Sequence, residues 1–204
     1  MGIDYVDIFY SHRPDPDTPL EETMSALADI VRQGKALYAG ISNYDAKQTE
    51  KAEELLQKNG TPCLIHQSRY SMLERKVEPE LLPLLKEKGI GMIAFSPLAQ
   101  GRLTEKYFHG IPENSRAAKS TGRLTPEMIT PDLLEKVKAL NVIAQQRGQT
   151  LPQMALSWLL KNPGVSSVLI GASSVAQLTE NLQILGQPGF EDEELQKIEA
   201  ILKR

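Results

Sequence analysis

The chain has 204 residues, enough for one good hydrophobic core, and its 26 acidic and 23 basic side chains leave a formal charge of −3. The two signs are interspersed, which removes the basic footprint of a nucleic-acid binder, and no apolar run reaches the length of a membrane span. A single cysteine, Cys63, can build neither an internal disulfide nor a cysteine metal cluster within the chain, and reads as a buried thiol.

Asp4 and Asp7 stand where a secretory signal needs positive charge, and Val6 stands where myristoylation needs Ser or Thr, so a cytoplasmic location is expected. Residues 4–10 read as a strand that runs into Ser11-His12-Arg13-Pro14, with prolines at 14, 16 and 19 excluding helix. Over 20–33 the apolar positions Met24, Leu27, Ile30 and Val31 recur at helical spacing; Glu21 and Glu22 favour the first turn and Gly34 ends it. The same strand-loop-helix unit then repeats. Residues 36–39 form a short strand leading into Gly40-Ile41-Ser42-Asn43, and a helix over 46–58 ends at Asn59-Gly60. The third strand, 63–66, is followed by Gln67-Ser68-Arg69-Tyr70 and a helix over 81–88. The fourth, 89–95, ends in Ser96-Pro97-Leu98-Ala99.

A long irregular stretch, about 100–130, follows and has the length of a functional lid or binding loop. Two helical patterns, 131–147 and 151–160, lead to the fifth strand, and a helix with an acidic start closes the chain over 191–203. The fifth strand lies in Ser167-Val168-Leu169-Ile170, which breaks at Gly171 and restarts after Ser173-Ser174 as an amphipathic helix. A small-residue turn before a helix N-terminus is chemistry for holding a phosphate. Its competing reading is an N-cap serine and nothing more.

Nearly continuous apolar strands alternating with helices indicate a parallel sheet covered by helices, either doubly wound or a (β/α) barrel. Polar residues gather after the strand C-ends, where both architectures bind ligands. No strand end offers a Schiff-base lysine, which argues against an aldolase.

Four motifs in order, residues 5–15, Gly40-Ile41-Ser42-Asn43, residues 95–101 and residues 167–173, give the chain a close resemblance to the aldo-keto reductases. Within that family it is similar to bacterial glyceraldehyde 3-phosphate (methylglyoxal) reductases and to potassium channel β subunits. The resemblance runs through essentially the whole chain. It implies an α/β fold, part of a (β/α)8 TIM barrel comprising the last five strand-helix units with the long loop before the final strand, and a single domain over 1–204. It also implies hydride transfer from NADPH, the cofactor being NADP(H), to a small aldehyde such as methylglyoxal or glyceraldehyde 3-phosphate.

Carried over position by position, His12 matches the catalytic histidine that orients the substrate carbonyl. Ser42, Asn43 and Gln67 match the residues that hydrogen-bond the nicotinamide carboxamide, and Phe95 the aromatic that stacks on its ring. Ser96, Leu98 and Gln100 match the loop under the pyrophosphate and ribose, and Lys106 and Arg116 match basic positions of the loop that closes over it. Gly171, Ser173, Gln177, Glu180 and Asn181 match the adenosine and 2′-phosphate anchor. Many relatives carry Arg or Lys where this chain has Ser174, a departure that bears on NADPH over NADH.

The family's proton-donating tyrosine, with its lysine and aspartate, belongs to strand-helix units that this sequence does not match. No lysine precedes Lys35, and the tyrosines at 5, 10, 38, 44, 70 and 107 fall in segments matching other parts. The chain therefore resembles a C-terminal part of a reductase, truncated so that Met1 corresponds to an internal methionine, and little activity is expected of it alone. Unpaired strands at both ends of such a sheet predict a homo-oligomer. The alternative is a nucleotide-binding regulatory module resembling a channel β subunit.

Overall fold

A computed structural model describes residues 2–119 and 122–203; the expectations for Met1, and for positions 120 and 121 of the long loop, lie outside the described residues. Five strands form one sheet in the order β1 (Val6–Ser11), β2 (Ala36–Ser42), β3 (Cys63–Arg69), β4 (Gly91–Phe95) and β5 (Val165–Leu169). The first four pair in parallel, each strand followed by a helix, as expected for part of a (β/α)8 barrel.

Two compact units share the chain. The first holds the described residues up to Arg69 with Lys76–Phe95 and Gly164–Ser167; the second holds Tyr70–Arg75, Ser96–Pro163 and the described residues from Val168 onward. In the first unit lie α1 (Leu20–Arg32), α2 (Ala46–Lys58) and α3 (Leu81–Lys88). Helix α1 buries Met24, Leu27 and Ala28 and leaves Glu21 and Glu22 in its first turn, and Gly34 at φ 71° turns the chain away. Helix α2 opens on a capping box: Asp45 Oδ1 accepts the Gln48 N–H at 2.7 Å, and Gln48 Oε1 accepts the Asp45 N–H at 3.1 Å.

The second unit contains α4 (Pro131–Gln146), α5 (Leu151–Leu160), α6 (Val175–Leu182) and α7 (Asp192–Leu202). The stretch expected to be irregular carries three short 3-10 turns, at Ala99–Gly101, Glu105–Tyr107 and Pro126–Met128. Tyr107, Ala117 and Leu124 form a small core of their own there, against Ile129 and Leu134. The loop is packed, not loose.

Strand ends differ from the sequence reading. Strand β1 starts at Val6, two residues later than expected, and β5 starts at Val165, two residues earlier. Strand β2 continues through Ser42 and β3 through Arg69, so Ser42 and Gln67 are strand residues. Pairing depends on backbone groups, and polar side chains do not interrupt it.

The register sorts side chains into two faces. Ser11, Ile41, His66 and Met92 pair across one row, and of these Ile41, His66 and Met92 are fully buried. Tyr10, Gly40, Ile65 and Gly91 pair across the row on the opposite face, with Ser42, Gln67 and Ile93 in the next row towards the strand C-ends. The site-bearing row is packed by alternating large and small residues. A Cβ on Gly40 would stand 2.6 Å from Tyr10 Cε1, and one on Gly91 would stand 2.6 Å from Ser166 Oγ. Both positions require glycine because their neighbours fill the space.

Candidate active site

In the first unit the candidate side chains come from the C-terminal ends of four parallel strands. Ser42 and Gln67 are register partners on β2 and β3, and Arg69 and Phe95 are partners on β3 and β4. Ser42, Gln67 and Phe95 thus share one face, because a period of two separates Gln67 from Arg69. The Arg69 guanidinium lies 5.7 Å from the centre of the Phe95 ring, a cation–π contact that the sequence did not reveal.

His12 is exposed on the segment leaving β1. Its carbonyl accepts a hydrogen bond of 3.0 Å from Asn43 Nδ2, which also donates to Ser42 Oγ at 3.0 Å. The Asn43 N–H in turn donates to the Gln67 carbonyl at 3.0 Å. Asn43 therefore ties together the ends of β1, β2 and β3. With both amide hydrogens committed, its side chain presents only Oδ1 as a free hydrogen-bonding atom.

Behind this loop Tyr44 is buried, and its hydroxyl lies 2.8 Å from Ser11 Oγ, the residue preceding His12. His66 Nε2 is 3.1 Å from the Tyr44 carbonyl, which can only accept, so the proton sits on Nε2 and Nδ1 accepts from Ser68 Oγ at 3.0 Å. Burial pushes the His66 pKa down to about 4, against a smaller opposing effect of the Tyr44 carbonyl. The ring is neutral and its tautomer is fixed. Cys63 is buried as expected, and desolvation, reinforced by the Glu53 carboxylate, pushes its thiol up to about 12.

Four non-glycine residues among those described have positive φ: Asn43 (61°), Ser96 (55°), Ala99 (49°) and Gln100 (62°). All four lie just beyond the C-ends of β2 and β4. Backbone strain of this kind costs of order 1–3 kcal/mol per residue and concentrates at ligand clamps. Leu98 contributes its carbonyl to the same turn, accepting from the Gly101 and Leu103 N–H groups at 2.9 and 3.3 Å.

The second unit carries the remaining predicted residues. The turn after β5 is exposed at Gly171, and Arg116 Nη2 lies 3.6 Å from the point a Gly171 Cβ would occupy. Ser174 is the N-cap of α6, its Oγ accepting the Gln177 N–H at 3.2 Å. Gln177 folds back so that Oε1 accepts from the Ser173 N–H at 2.8 Å and from Ser173 Oγ at 3.1 Å. The Glu180 carbonyl accepts from Gln153 Nε2 at 2.9 Å. Asn181 is 3% exposed and its Nδ2 has no hydrogen-bond partner, a buried donor that favours an external acceptor. Lys106 is exposed on one of the 3-10 turns, its N–H donating to Thr104 Oγ1 at 3.2 Å.

The predicted residues therefore fall into two sets, one in each unit. Sequence reasoning missed Tyr10, Gly40, Tyr44, His66 and Arg69. The detectable signal was Gly40 itself, an isolated glycine in an apolar strand, which marks a close approach by another group. Among the described residues no cluster of His, Cys, Asp and Glu could hold a metal ion, and no helix is long and apolar enough to cross a membrane.

Comparison with known proteins gives four findings. The profile described as "Aldo/keto reductase family" matches residues 1–203. Over 203 residues the chain is 54% identical to an L-glyceraldehyde 3-phosphate reductase of Escherichia coli O157:H7, covering 98% of this chain and 59% of that protein. It is 40% identical over 210 residues to a probable voltage-gated potassium channel subunit beta of Arabidopsis thaliana, covering 100% of this chain and 63% of that one. Among solved structures, a thermostable aldo-keto reductase with the inhibitor epalrestat superposes with a TM-score of 0.75 at 30% identity, over 97% of this chain and 60% of that chain. The chain thus spans about three fifths of the length of the proteins it matches.

Proposed function

The chain belongs to the aldo/keto reductase family, and from that membership we propose that it holds NADP(H) and orients a small aldehyde, of the methylglyoxal or glyceraldehyde 3-phosphate type, for reduction. The observation that carries this reading is the placement of Ser42, Gln67 and Phe95 on one sheet face beside the tied His12–Asn43 pair. The donor set fits a nicotinamide nucleotide. The orphaned Nδ2 of Asn181 suits an adenine acceptor, and the Arg116 guanidinium near Gly171 suits a phosphate.

When bound, the cofactor supplies the hydride. In the first unit Phe95 would stack against the nicotinamide ring, while Ser42, Asn43 and Gln67 would fix its carboxamide. His12 would donate a hydrogen bond to the substrate carbonyl and stabilise the charge that develops on its oxygen. In the second unit the strained backbone of Ser96 and Gln100, with Leu98 between them, would approach the pyrophosphate, with Lys106 and Arg116 supplying positive charge. In the second unit Gly171, Ser173, Gln177, Glu180 and Asn181 would anchor the adenosine end. Ser174 caps α6 and carries no positive charge for a 2′-phosphate.

Reduction also needs a proton, and no residue here matches the family's tyrosine, lysine and aspartate. These 204 residues by themselves are therefore expected to bind NADPH but consume it slowly with methylglyoxal. The test is absorbance loss at saturating NADPH: a rate comparable to that of the E. coli reductase would contradict the expectation. A regulatory, nucleotide-binding role is the second reading, supported by the similarity to channel β subunits. Binding without turnover in a longer chain carrying the missing triad would favour it.

A further inference from the structure

On the face of β1–β4 that carries Ser42, Gln67 and Phe95, Arg69 is the only charged side chain among the described strand residues. It stands two residues beyond Gln67 along β3, in register with Phe95, and is half-buried. Among the described residues its guanidinium has no ion pair and no hydrogen bond. It rests 5.7 Å from the centre of the Phe95 ring. A ring face takes none of the five guanidinium N–H groups in a conventional hydrogen bond, so the fork stays open. A partly desolvated cation with no carboxylate at hand is stabilised by an anionic ligand, and the planar fork of arginine matches the oxygens of a phosphate.

We infer that Arg69 is the anion-binding residue of this face, taking a phosphate group beside Phe95. The inference rests on the NADP(H) reading above and narrows it. A phosphate carried by the substrate makes the aldehyde a phosphorylated one; a phosphate carried by the cofactor is the one on its nicotinamide side. Sheet geometry accommodates the first source. His12 leaves β1 two strands away, so the Arg69 backbone lies about 10 Å across the sheet and about 7 Å along it from the His12 position. Two long side chains reaching in from those positions can hold opposite ends of a three-carbon aldehyde phosphate, with the carbonyl at His12 and the anion at Arg69. Methylglyoxal offers Arg69 no anion, so this contact separates the two candidate substrates.

The test is titration of the full chain, followed by nuclear magnetic resonance. One arm uses NADP+ and nicotinamide mononucleotide; the other adds glycerol 3-phosphate, an unreactive analogue of the aldehyde phosphate, to the NADP+ complex. Arg69→Met keeps an apolar stem against Phe95 and is expected to weaken glycerol 3-phosphate about tenfold or more, as for the loss of a charged hydrogen bond. Arg69→Lys keeps the charge without the fork and is expected to lose about threefold. Affinity for 2′,5′-ADP and melting temperature stay unchanged in both variants, which a merely structural role would not allow. A loss confined to NADP+ and nicotinamide mononucleotide also supports Arg69 as the phosphate contact and assigns the phosphate to the cofactor. Wild type that binds NADP+, with both arms indifferent to Arg69→Met and Arg69→Lys, overturns this inference alone. Wild type that binds no NADP+ overturns the NADP(H) reading and this inference with it.

Discussion

Gly40 and His66 show how single residues hold the candidate site from opposite faces of the sheet. Replacing Gly40 by Ala drives a methyl group into the Tyr10 ring, and urea denaturation should show a loss of about 1–3 kcal/mol, the usual cost of overpacking. His66 is held neutral, with a folded pKa of about 4 against an ordinary value of 6.5. Between those values the unfolded chain binds more protons than the folded one. Stability is therefore full above about pH 6.5, falls as the pH drops towards about 4, and loses of order 3 kcal/mol across that window. His66→Asn should flatten this slope in urea midpoints measured from pH 7 to pH 4, whatever it does to stability at neutral pH. An unchanged slope would place the titration elsewhere. Neither role is visible from residue order, since Tyr10 and Gly40 meet across a strand pairing and the Tyr44–His66 contact spans a turn and a strand pairing.

At the scale of elements, the helices were the most legible part of the sequence. Their ends are written locally: Asp45 and Gln48 cap α2, Thr150 and Gln153 cap α5, and Gly89 at φ 68° closes α3. These three match their expected spans. Strand ends were misread because the sequence reading ended the second strand before Gly40 and the third before Gln67, whereas both continue the backbone ladder, through Ser42 and Arg69. The C-terminal element is fastened by buried Ile198 and Ile201, by an Arg75–Glu199 ion pair at 2.8 Å and by Arg147. Arg147, 4% exposed at its side chain, pairs with Glu194, stacks 4.0 Å from the centre of the Phe190 ring and donates to the Pro188 and Gly189 carbonyls at 2.9 and 3.2 Å. Arg147→Met should cost about 2–3 kcal/mol in urea denaturation, since it leaves Glu194 and two carbonyls without their partner. A change below about 0.5 kcal/mol would mean that α7 is held by its apolar contacts and the Arg75–Glu199 pair without help from Arg147.

For the whole molecule, β1 stands at one end of the strand order, with a backbone edge that no neighbouring strand among the described residues covers. Tyr5 and Phe9 on or beside it are 56% and 43% exposed, and a groove of about 420 Å³ opens between β1 and α1, lined by Phe9, Leu27 and Ile30. An unpaired edge flanked by apolar side chains promotes association, so sedimentation velocity should show concentration-dependent self-association. A monodisperse monomer over the accessible concentration range would contradict that. The proposed cofactor reading names candidate residues in each compact unit. Its most direct test is a fluorescence titration of the chain with NADPH, repeated for Phe95→Ala in the first unit and Arg116→Ala in the second. Saturable binding, weakened about tenfold by each substitution, is the predicted result. No saturable change, or binding indifferent to both substitutions, would contradict it.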